Sequence, residues 1–173
     1  MEVSSVEHIG PDADRLWTEV ENGFGLTVVR DAAYLNWKFR AQPHMHHIIY
    51  EARRRGELRG LAVVRDCKPP EPNITILSEL IAPREDLTTL QVLCRFVRHR
   101  HARPQSTIVT STSVAEYRRA ILGCGFSEVQ DVRPVAPFLW SRRPGIDFAR
   151  LGATMLLGRA DSDWDQYPYG RVA

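Results

Sequence analysis

Residues 48–65 read IIYEARRRGELRGLAVVR, which is the clearest hairpin pattern in this sequence. Two runs rich in aliphatic and β-branched residues, Ile48 to Ala52 and Leu58 to Arg65, flank the polar turn 53–57, which contains a glycine. Such runs favour strands, and a short glycine-containing connection favours an antiparallel pair. The sequence therefore predicts a β-hairpin near the middle of the chain.

A third strand and a long helix follow this hairpin. The proline-rich loop Lys68 to Pro72 cannot lie inside a sheet, so it separates the hairpin from a strand at Asn73 to Ala82. We therefore expect three consecutive antiparallel strands. After them, apolar residues recur every three or four positions, as one face of a four-turn helix packed on the sheet requires: Leu87, Leu90, Leu93, Cys94 and Val97.

Two short helices are expected before the hairpin. Pro11 to Asn22 has apolar residues at near-helical spacing and acidic residues in its first turn. Leu26 to Val29 reads as a brief strand. Asp31 is then placed as an N-cap for a helix at Ala32 to Arg40, which Gln42-Pro43 terminates.

The last third of the chain predicts one more helix and several strands. A compact strand is expected at Thr107 to Ser111, and Ser113-x-x-Glu116 matches a capping box that begins a helix ended by Gly123 and Gly125. A polar and aromatic tail, 159–173, is expected to dock on the sheet. The remaining strand-like runs are Phe126 to Val132, Val135 to Ser141 and Thr154 to Leu157, the last two separated by Arg142 to Arg150.

The composition indicates one ordinary globular domain, 1–173. The chain has 173 residues, of which 43% are hydrophobic and 25% charged, and it contains no apolar run near the roughly 20 residues that span a bilayer. Met1 to Gly10 lacks a basic start followed by an apolar stretch, so a cytoplasmic location without membrane contact is expected. Three cysteines far apart suit reduced thiols rather than disulfides: Cys67, Cys94 and Cys124.

Three polar groupings admit a functional or a purely structural interpretation, and the structural one is favoured for each. His44, His46 and His47, with His99 and His101, suggest two His-x-His pairs, but positions i and i+2 of a helix point apart, so we expect no metal site. Asp161, Asp163 and Asp165 alternate beside aromatic residues and suit either a hard cation or the rim of a docked tail. Six arginines make the region around the two later helices basic, and they could bind phosphate, an acidic partner or nucleic acid, or form a solvated helix face. Nucleic acid is not expected. The arginines are Arg95, Arg98, Arg100, Arg103, Arg118 and Arg119.

The element order and four local sequences resemble the GNAT superfamily of N-acetyltransferases. These sequences are RDAAYLNWKF at 30–39 followed by Pro43, Gly60 within a strand, Gly125-Phe126 after a helix, and Asp161-Ser162-Asp163. Together they resemble the C-terminal GNAT-like half of bacterial proteins that carry two such modules in tandem. The resemblance covers nearly the whole chain and implies an α+β fold, a twisted mixed β-sheet flanked by about four helices.

The resemblance also implies where acetyl-CoA or another acyl-CoA would bind. In GNAT proteins the strand before the long helix splays from its neighbour, and backbone N–H groups of the next loop bind the cofactor pyrophosphate. The family loop carries glycines, whereas 84–89 has none and adds Glu85 and Asp86. The residues that match the family's cofactor positions are Leu80, Ile81, Ala82, Arg84, Leu87, Thr88 and Thr89, with Thr110 and Ser111 on the following strand.

The resemblance assigns two catalytic candidates. Glu79 lies where some GNAT enzymes place a general base, and Tyr117 is the candidate that protonates the departing thiolate, because Ile121 stands where the family often has that tyrosine. The structural alternatives are a rim carboxylate paired with an arginine for Glu79 and a packed aromatic for Tyr117. For Thr110 to Thr112 the alternative is that their side chains satisfy turn amides.

Two functions from different classes follow. The first is an acyl-CoA-dependent N-acyltransferase acting on an amine of a small molecule or protein, in which the loop 83–89 holds the cofactor. The second is a non-catalytic GNAT-like module that binds a tandem GNAT partner or forms a homodimer. The glycine-free loop and Ile121 favour the second.

Overall fold

The computed structural model describes residues 1–67, 74–104, 106–128, 155–158 and 161. Within these ranges the chain forms seven strands and four helices. In chain order they are β1 (Glu2–Val6), α1 (Asp12–Glu21), β2 (Leu26–Thr27), α2 (Ala32–Phe39), β3 (His47–Arg54), β4 (Glu57–Asp66), β5 (Ile74–Ile81), α3 (Leu87–His101), β6 (Thr107–Val109), α4 (Ala115–Leu122) and β7 (Met155–Leu156).

The predicted hairpin is confirmed as β3 and β4. The connection is tighter than expected, because only Arg55 and Gly56 lie between the strands. Both have positive φ, 54° and 81°, which is the conformation of a type I′ turn. This turn matches the right-handed twist of the two strands and thereby sets their register.

The main sheet has five strands in the order β1-β3-β4-β5-β6. The pairs from β1 to β5 are antiparallel, and β6 runs parallel to β5. A second, two-stranded sheet pairs β2 with β7 in parallel. The three consecutive antiparallel strands and the α+β class, a mixed sheet with four helices, are therefore confirmed.

The edge strand β1 was not predicted. Its sequence, EVSSV, is short and mostly exposed, so it carries no strong strand pattern. It forms because β3 offers it an antiparallel partner from Glu2↔Arg53 to Val6↔Ile49. Pairing with the sheet, rather than local propensity, decides this element.

Helix α3 packs on the sheet as expected and buries its apolar face against β3, β4 and β5. Leu90, Leu93, Cys94 and Val97 have no exposed surface, and Leu87 packs at the margin of the core. Burying each large apolar side chain contributes about 1.5–3 kcal/mol. This packing holds the first turn of α3 beside the end of β5.

Gly60 allows β4 to approach α3 closely. A Cβ at this position would lie 2.7 Å from Cγ2 of Thr89, 2.9 Å from the backbone oxygen of Ile81 and 3.0 Å from Cδ1 of Leu93. No side chain fits in that space, so the contact requires glycine.

The two helices before the hairpin are confirmed with small changes at their ends. Helix α1 buries Ala13, Leu16, Trp17 and Val20. At the start of α2, the side chain of Asp31 accepts a hydrogen bond from the Tyr34 backbone N–H at 2.7 Å. Asp31 is therefore the N-cap that the sequence predicts.

The capping box at Ser113 and Glu116 is not formed. Helix α4 has Val114 at its N-cap without a side-chain hydrogen bond. Ser113 Oγ instead donates to the Met155 carbonyl at 2.7 Å and accepts from the Leu157 N–H at 2.9 Å. A partner brought by the tertiary fold thus replaces the local one. Gly123 ends the helix, as predicted.

Several sequence-based predictions fall outside the described residues. They are the loop within 68–73, the strand at Val135 to Ser141, the segment Arg142 to Arg150 and the tail 159–173 apart from Asp161. For the strand predicted at Phe126 to Val132, the described residues 126–128 are not in a strand. The strand expected at Thr154 to Leu157 is confirmed as β7.

The three cysteines are free thiols, as expected, and the structure places all of them in the interior. Among the described residues, no helix is long and apolar enough to cross a bilayer.

Candidate functional site

Strands β5 and β6 diverge after three paired residues. Their parallel register runs from Ile74↔Thr107 to Ile76↔Val109, and β5 then continues to Ile81. At the point of divergence, Thr110 Oγ1 donates to the Leu77 carbonyl at 2.9 Å. The two strands therefore form a wedge that is open toward the end of β5.

The wedge contains a small cavity that brings several predicted site residues together. Its volume is about 10 Å³, which is room for about one water molecule. The predicted residues Glu79, Leu80, Thr110, Ser111 and Tyr117 all line it. The other lining residues are Ser78, Thr112, Ile121, Leu156 and Gly158.

The Tyr117 hydroxyl forms hydrogen bonds with backbone groups at the end of β5. It donates to the Ala82 carbonyl at 2.5 Å and accepts from the Ala82 N–H at 3.2 Å. Burial raises the pKa of this phenol above its usual range, and the nearby Glu79 charge acts in the same direction. The hydroxyl therefore stays protonated and satisfies both polar groups of Ala82.

Glu79 lies in the interior with an arginine beside it. Arg30 Nε donates to Glu79 Oε2 at 3.0 Å, and Arg30 Nη2 donates to Oδ2 of Asp161. The same guanidinium also donates to Thr27 Oγ1 at 2.7 Å and to the Val28 carbonyl at 2.9 Å. The arginine pairing matches the structural alternative for Glu79, but the carboxylate is buried in the core instead of lying at the rim.

One buried guanidinium faces two carboxylates here, so the group as a whole carries excess negative charge when both are ionised. Burial raises the pKa of Glu79, the Asp161 charge raises it further, and Arg30 opposes both. Protonating Glu79 would leave Arg30 and Asp161 as a neutral pair. The folded protein therefore binds a proton at Glu79 more tightly than the unfolded chain does.

This linkage predicts a pH dependence of stability. Because the folded-state pKa lies above the usual value of 4.5, the stabilisation from Glu79 is complete below pH 4.5 and is lost as pH rises through the folded pKa. The free energy of unfolding of wild type minus that of Glu79→Gln is expected to fall over this range, by at most about 1.4 kcal/mol per pH unit. Urea unfolding of both proteins at several pH values measures it; a difference that rises with pH contradicts the assignment.

The first turn of α3 is capped from within the chain. Asp86 Oδ1 accepts from the Thr89 backbone N–H at 3.0 Å, and Asp86 Oδ2 accepts from Thr89 Oγ1 at 2.7 Å. A carboxylate thus already sits on the positive end of this helix. Thr89 is buried, Thr88 is exposed and Leu87 is half-buried.

Arg84 is also engaged by the chain itself. Its guanidinium donates to the Gly23 carbonyl at 3.1 Å and to Glu116 Oε1 at 2.7 Å. It lies over the Phe24 ring, 5.8 Å from the ring centre. Arg84 therefore joins the loop before α3 to the loop after α1 and to α4.

Comparisons with known proteins place this geometry in a known fold. No protein-family model matches the sequence, and no curated protein matches it. A solved structure described as a probable acetyltransferase superposes with a TM-score of 0.52 at 18% identity, covering 82% of this chain and 100% of that chain. The chain has a GNAT-like fold. An aminoglycoside antibiotic 6'-N-acetyltransferase from Acinetobacter haemolyticus gives a TM-score of 0.49 at 10% identity, covering 80% of this chain and 99% of that chain.

The positions that the GNAT resemblance assigned to acyl-CoA binding lie at the end of β5, in the loop to α3, in the first turn of α3 or beside the wedge. Ile81 and Ala82 are buried at the end of β5. The polar groups of Ala82, Arg84 and Thr89 are bonded within the chain. These positions lie in neighbouring parts of the fold, and the polar groups of Ala82, Arg84 and Thr89 already have partners within the chain.

Sequence reasoning missed Arg30 and misplaced Asp161. Arg30 belongs to the motif at 30–39, yet periodicity carried no sign that it would be buried. Asp161 was expected at the rim of a docked tail, but its side chain is only 7% exposed. The available signal was chemical: a buried carboxylate such as Glu79 needs a cation, and the quoted motif supplies an arginine.

The remaining polar groupings lie elsewhere. All six arginines named above are exposed, as a solvated helix face predicts. His101 is buried, where its ring nitrogens contact the Tyr50 hydroxyl at 2.9 Å and Asp66 Oδ1 at 3.1 Å. In the part of the chain that the structure describes, no three His, Cys, Asp or Glu side chains gather as a metal site would require.

Proposed function

We propose that this chain is a non-catalytic GNAT-fold module that binds a second copy of itself or a tandem GNAT partner, with a degenerate acyl-CoA site that has become part of its packed interior. The observation that carries this proposal is the double hydrogen bond of Tyr117 to Ala82. A cofactor arm that followed β5 would have to compete with Tyr117 for these two backbone groups, because this internal side chain satisfies both.

The loop before α3 supports the same proposal. A pyrophosphate at the start of this helix would meet the Asp86 carboxylate, which holds the Thr89 N–H. Displacing Asp86 and opening the wedge would break several internal hydrogen bonds, each with a net contribution of about 1 kcal/mol. The cofactor would have to supply that free energy in addition to overcoming the like-charge repulsion.

The surface supports a binding role. Large apolar side chains are exposed within one short stretch, including Val29 at 52% and Trp37 at 61%. Exposed apolar groups that form one contiguous patch are typical of protein contact surfaces, and we propose that these side chains form such a patch. The others in the stretch are Leu26 and Val28.

Thermal denaturation with CoA esters tests the cofactor part of this proposal. Acetyl-CoA and longer acyl-CoAs up to millimolar concentration are expected to leave the melting temperature unchanged. A ligand at one hundred times its Kd would stabilise the fold by about 2.7 kcal/mol, which corresponds to a shift of several degrees. A saturable rise would contradict the proposal.

Light scattering after size exclusion tests the binding role for self-association. Trp37→Asp is expected to shift a dimer toward monomer, because it places a charge in the exposed apolar stretch. Ser127→Asp adds the same charge at another exposed position and serves as the control. Equal masses for both variants would show that this stretch does not form the contact between two copies. Binding of a tandem GNAT partner would then be the remaining form of the proposal.

The second candidate function is an acyl-CoA-dependent N-acyltransferase acting on an amine of a small molecule or protein, and the Glu79 carboxylate in the wedge favours it. In this scheme Glu79 accepts the proton of the attacking amine, the amine nitrogen bonds to the thioester carbonyl carbon, and CoA leaves as a thiolate that Tyr117 protonates. Stabilisation by acyl-CoA that is lost on Glu79→Gln or Arg84→Ala would favour this function over the first.

A further inference from the structure

The residues 155–158 with Asp161, here called the strap, border one side of the wedge. The strap is joined to the segment after β6: the Ser113 N–H donates to the Leu157 carbonyl at 3.0 Å, and Thr112 forms a bridge with Gly158. Leu156 and Gly158 line the cavity. The strap thus closes the space between that segment and β5.

The strap also touches β5 at the buried carboxylate. A Cβ on Gly158 would lie 3.0 Å from Glu79 Oε1 and 3.8 Å from the Ser78 carbonyl oxygen. The strap backbone therefore lies directly against the side chain of Glu79.

A single guanidinium connects the strap to the core. Arg30 donates to Asp161 of the strap and to Glu79 of β5, and Asp161 Oδ2 also accepts from the Gly158 N–H at 2.7 Å. The side chain of Arg30 has no exposed surface. Asp161 is therefore the residue through which the strap covers and binds Arg30.

The balance of charges indicates that the contact between Asp161 and Arg30 can be removed without disrupting the core. With Asp161 in place, one cation faces two anions, whereas without it Arg30 and Glu79 remain as a one-to-one pair. Removing the Asp161 carboxylate therefore weakens the attachment of the strap without leaving an unpaired charge in the interior. The attachments that then remain to the strap are the hydrogen bonds of Ser113, the bridge to Thr112 and the pairing of β7 with β2.

We propose that the strap is a releasable cover of the wedge, latched by Asp161 on Arg30, and that Arg30 becomes a binding site for small carboxylates when the strap is released. Arg30 suits this ligand class because its guanidinium already binds one carboxylate while Glu79, Thr27 and Val28 hold it in place. This inference holds whether or not the wedge takes up acyl-CoA.

Hydrogen exchange of Asp161→Asn tests the latch. The amides of Ser113, Leu157 and Gly158 are expected to exchange about tenfold faster or more than in wild type, while amides of the β3–β4 hairpin stay unchanged, because only the strap opens. Glu128→Gln is the matched control, since it removes a carboxylate from the exposed pair with Arg118. Strap amides that exchange alike in all three proteins would overturn the proposal.

Chemical complementation of Asp161→Ala tests the carboxylate site. Sodium acetate, compared with sodium chloride at equal ionic strength, is expected to raise the melting temperature of this variant saturably and to leave wild type unchanged. The acetate effect is expected to vanish in Arg30→Met/Asp161→Ala. An acetate effect no greater than that of chloride, or one that persists without Arg30, would refute the assignment of Arg30 as the site.

Discussion

Replacing Arg30 by methionine is expected to lower the free energy of unfolding by about 3–5 kcal/mol, the largest effect of any single substitution proposed for this protein. Arg30 and Glu79 are both buried, and Asp161 is nearly so. Methionine keeps much of the side-chain volume but leaves two carboxylates in the interior without a counter-charge. It also removes the donor to Thr27 Oγ1 and one of the two donors to the Val28 carbonyl, which still accepts from the Thr27 hydroxyl.

Urea unfolding of Arg30→Met and wild type at neutral pH measures this loss. Arg118→Met is the matched control, because Arg118 pairs with Glu128 in solvent, and its effect is expected to be far smaller than that of Arg30→Met. Adding Glu79→Gln to Arg30→Met is expected to recover part of the loss, since one unpaired charge is removed. A loss below about 1 kcal/mol for Arg30→Met would show that these charges are solvated.

Gly60→Ala is expected to destabilise the fold by about 1–3 kcal/mol. The added Cβ would meet Cγ2 of Thr89, the backbone oxygen of Ile81 and Cδ1 of Leu93 at 2.7–3.0 Å. The Ile81 carbonyl belongs to β5, so relieving that contact requires β4 and β5 to shift against each other. Relieving the contacts with Thr89 and Leu93 requires α3 to move away from β4. Such a movement would open the packing of Leu90 and Leu93 against the sheet.

Denaturant unfolding of Gly60→Ala and Gly10→Ala measures the free energy of unfolding of both variants. The comparison distinguishes the steric clash at position 60 from the general effect of replacing a glycine. At Gly10 the added Cβ meets only the flexible end of Asp12, at 3.1 Å, so this variant is expected to be nearly neutral. Thr89→Ser removes the Cγ2 atom, so in combination it is expected to recover part of the Gly60→Ala loss as a non-additive term. Equal stability of Gly60→Ala and Gly10→Ala would contradict the close packing.

The elements that could be predicted from the sequence are those encoded by neighbours along the chain. The hairpin at 48–65 follows from two β-rich runs and a glycine turn, and α3 follows from apolar residues at helical spacing. Asp31 caps α2 because an N-cap needs only a partner three residues ahead. In each case the interacting groups lie within a few residues, so local pattern carries the information.

The resemblance of the motif at 30–39 and of its companions to GNAT proteins extended this knowledge to the fold, which the mixed sheet confirms. Five of the residues that it assigned to a site line the wedge cavity, because strand order determines which residues lie together: Glu79, Leu80, Thr110, Ser111 and Tyr117. The resemblance did not indicate which groups these residues would form hydrogen bonds with. Tyr117 and Ala82 are 35 positions apart, and their hydrogen bonds exist only because α4 is held over the end of β5.

Residues 48–65 and the apolar spacing of α3 were thus sufficient to place the central hairpin and the helix that covers it. The tertiary structure alone decided that Arg30 joins Glu79, 49 positions away, to Asp161, 131 positions away. It also decided that the Ser113 hydroxyl forms a hydrogen bond with the strap instead of capping its own helix. The physical reason is that a buried polar group takes whichever partner the packed chain brings within hydrogen-bonding distance, and periodicity records only which face is buried.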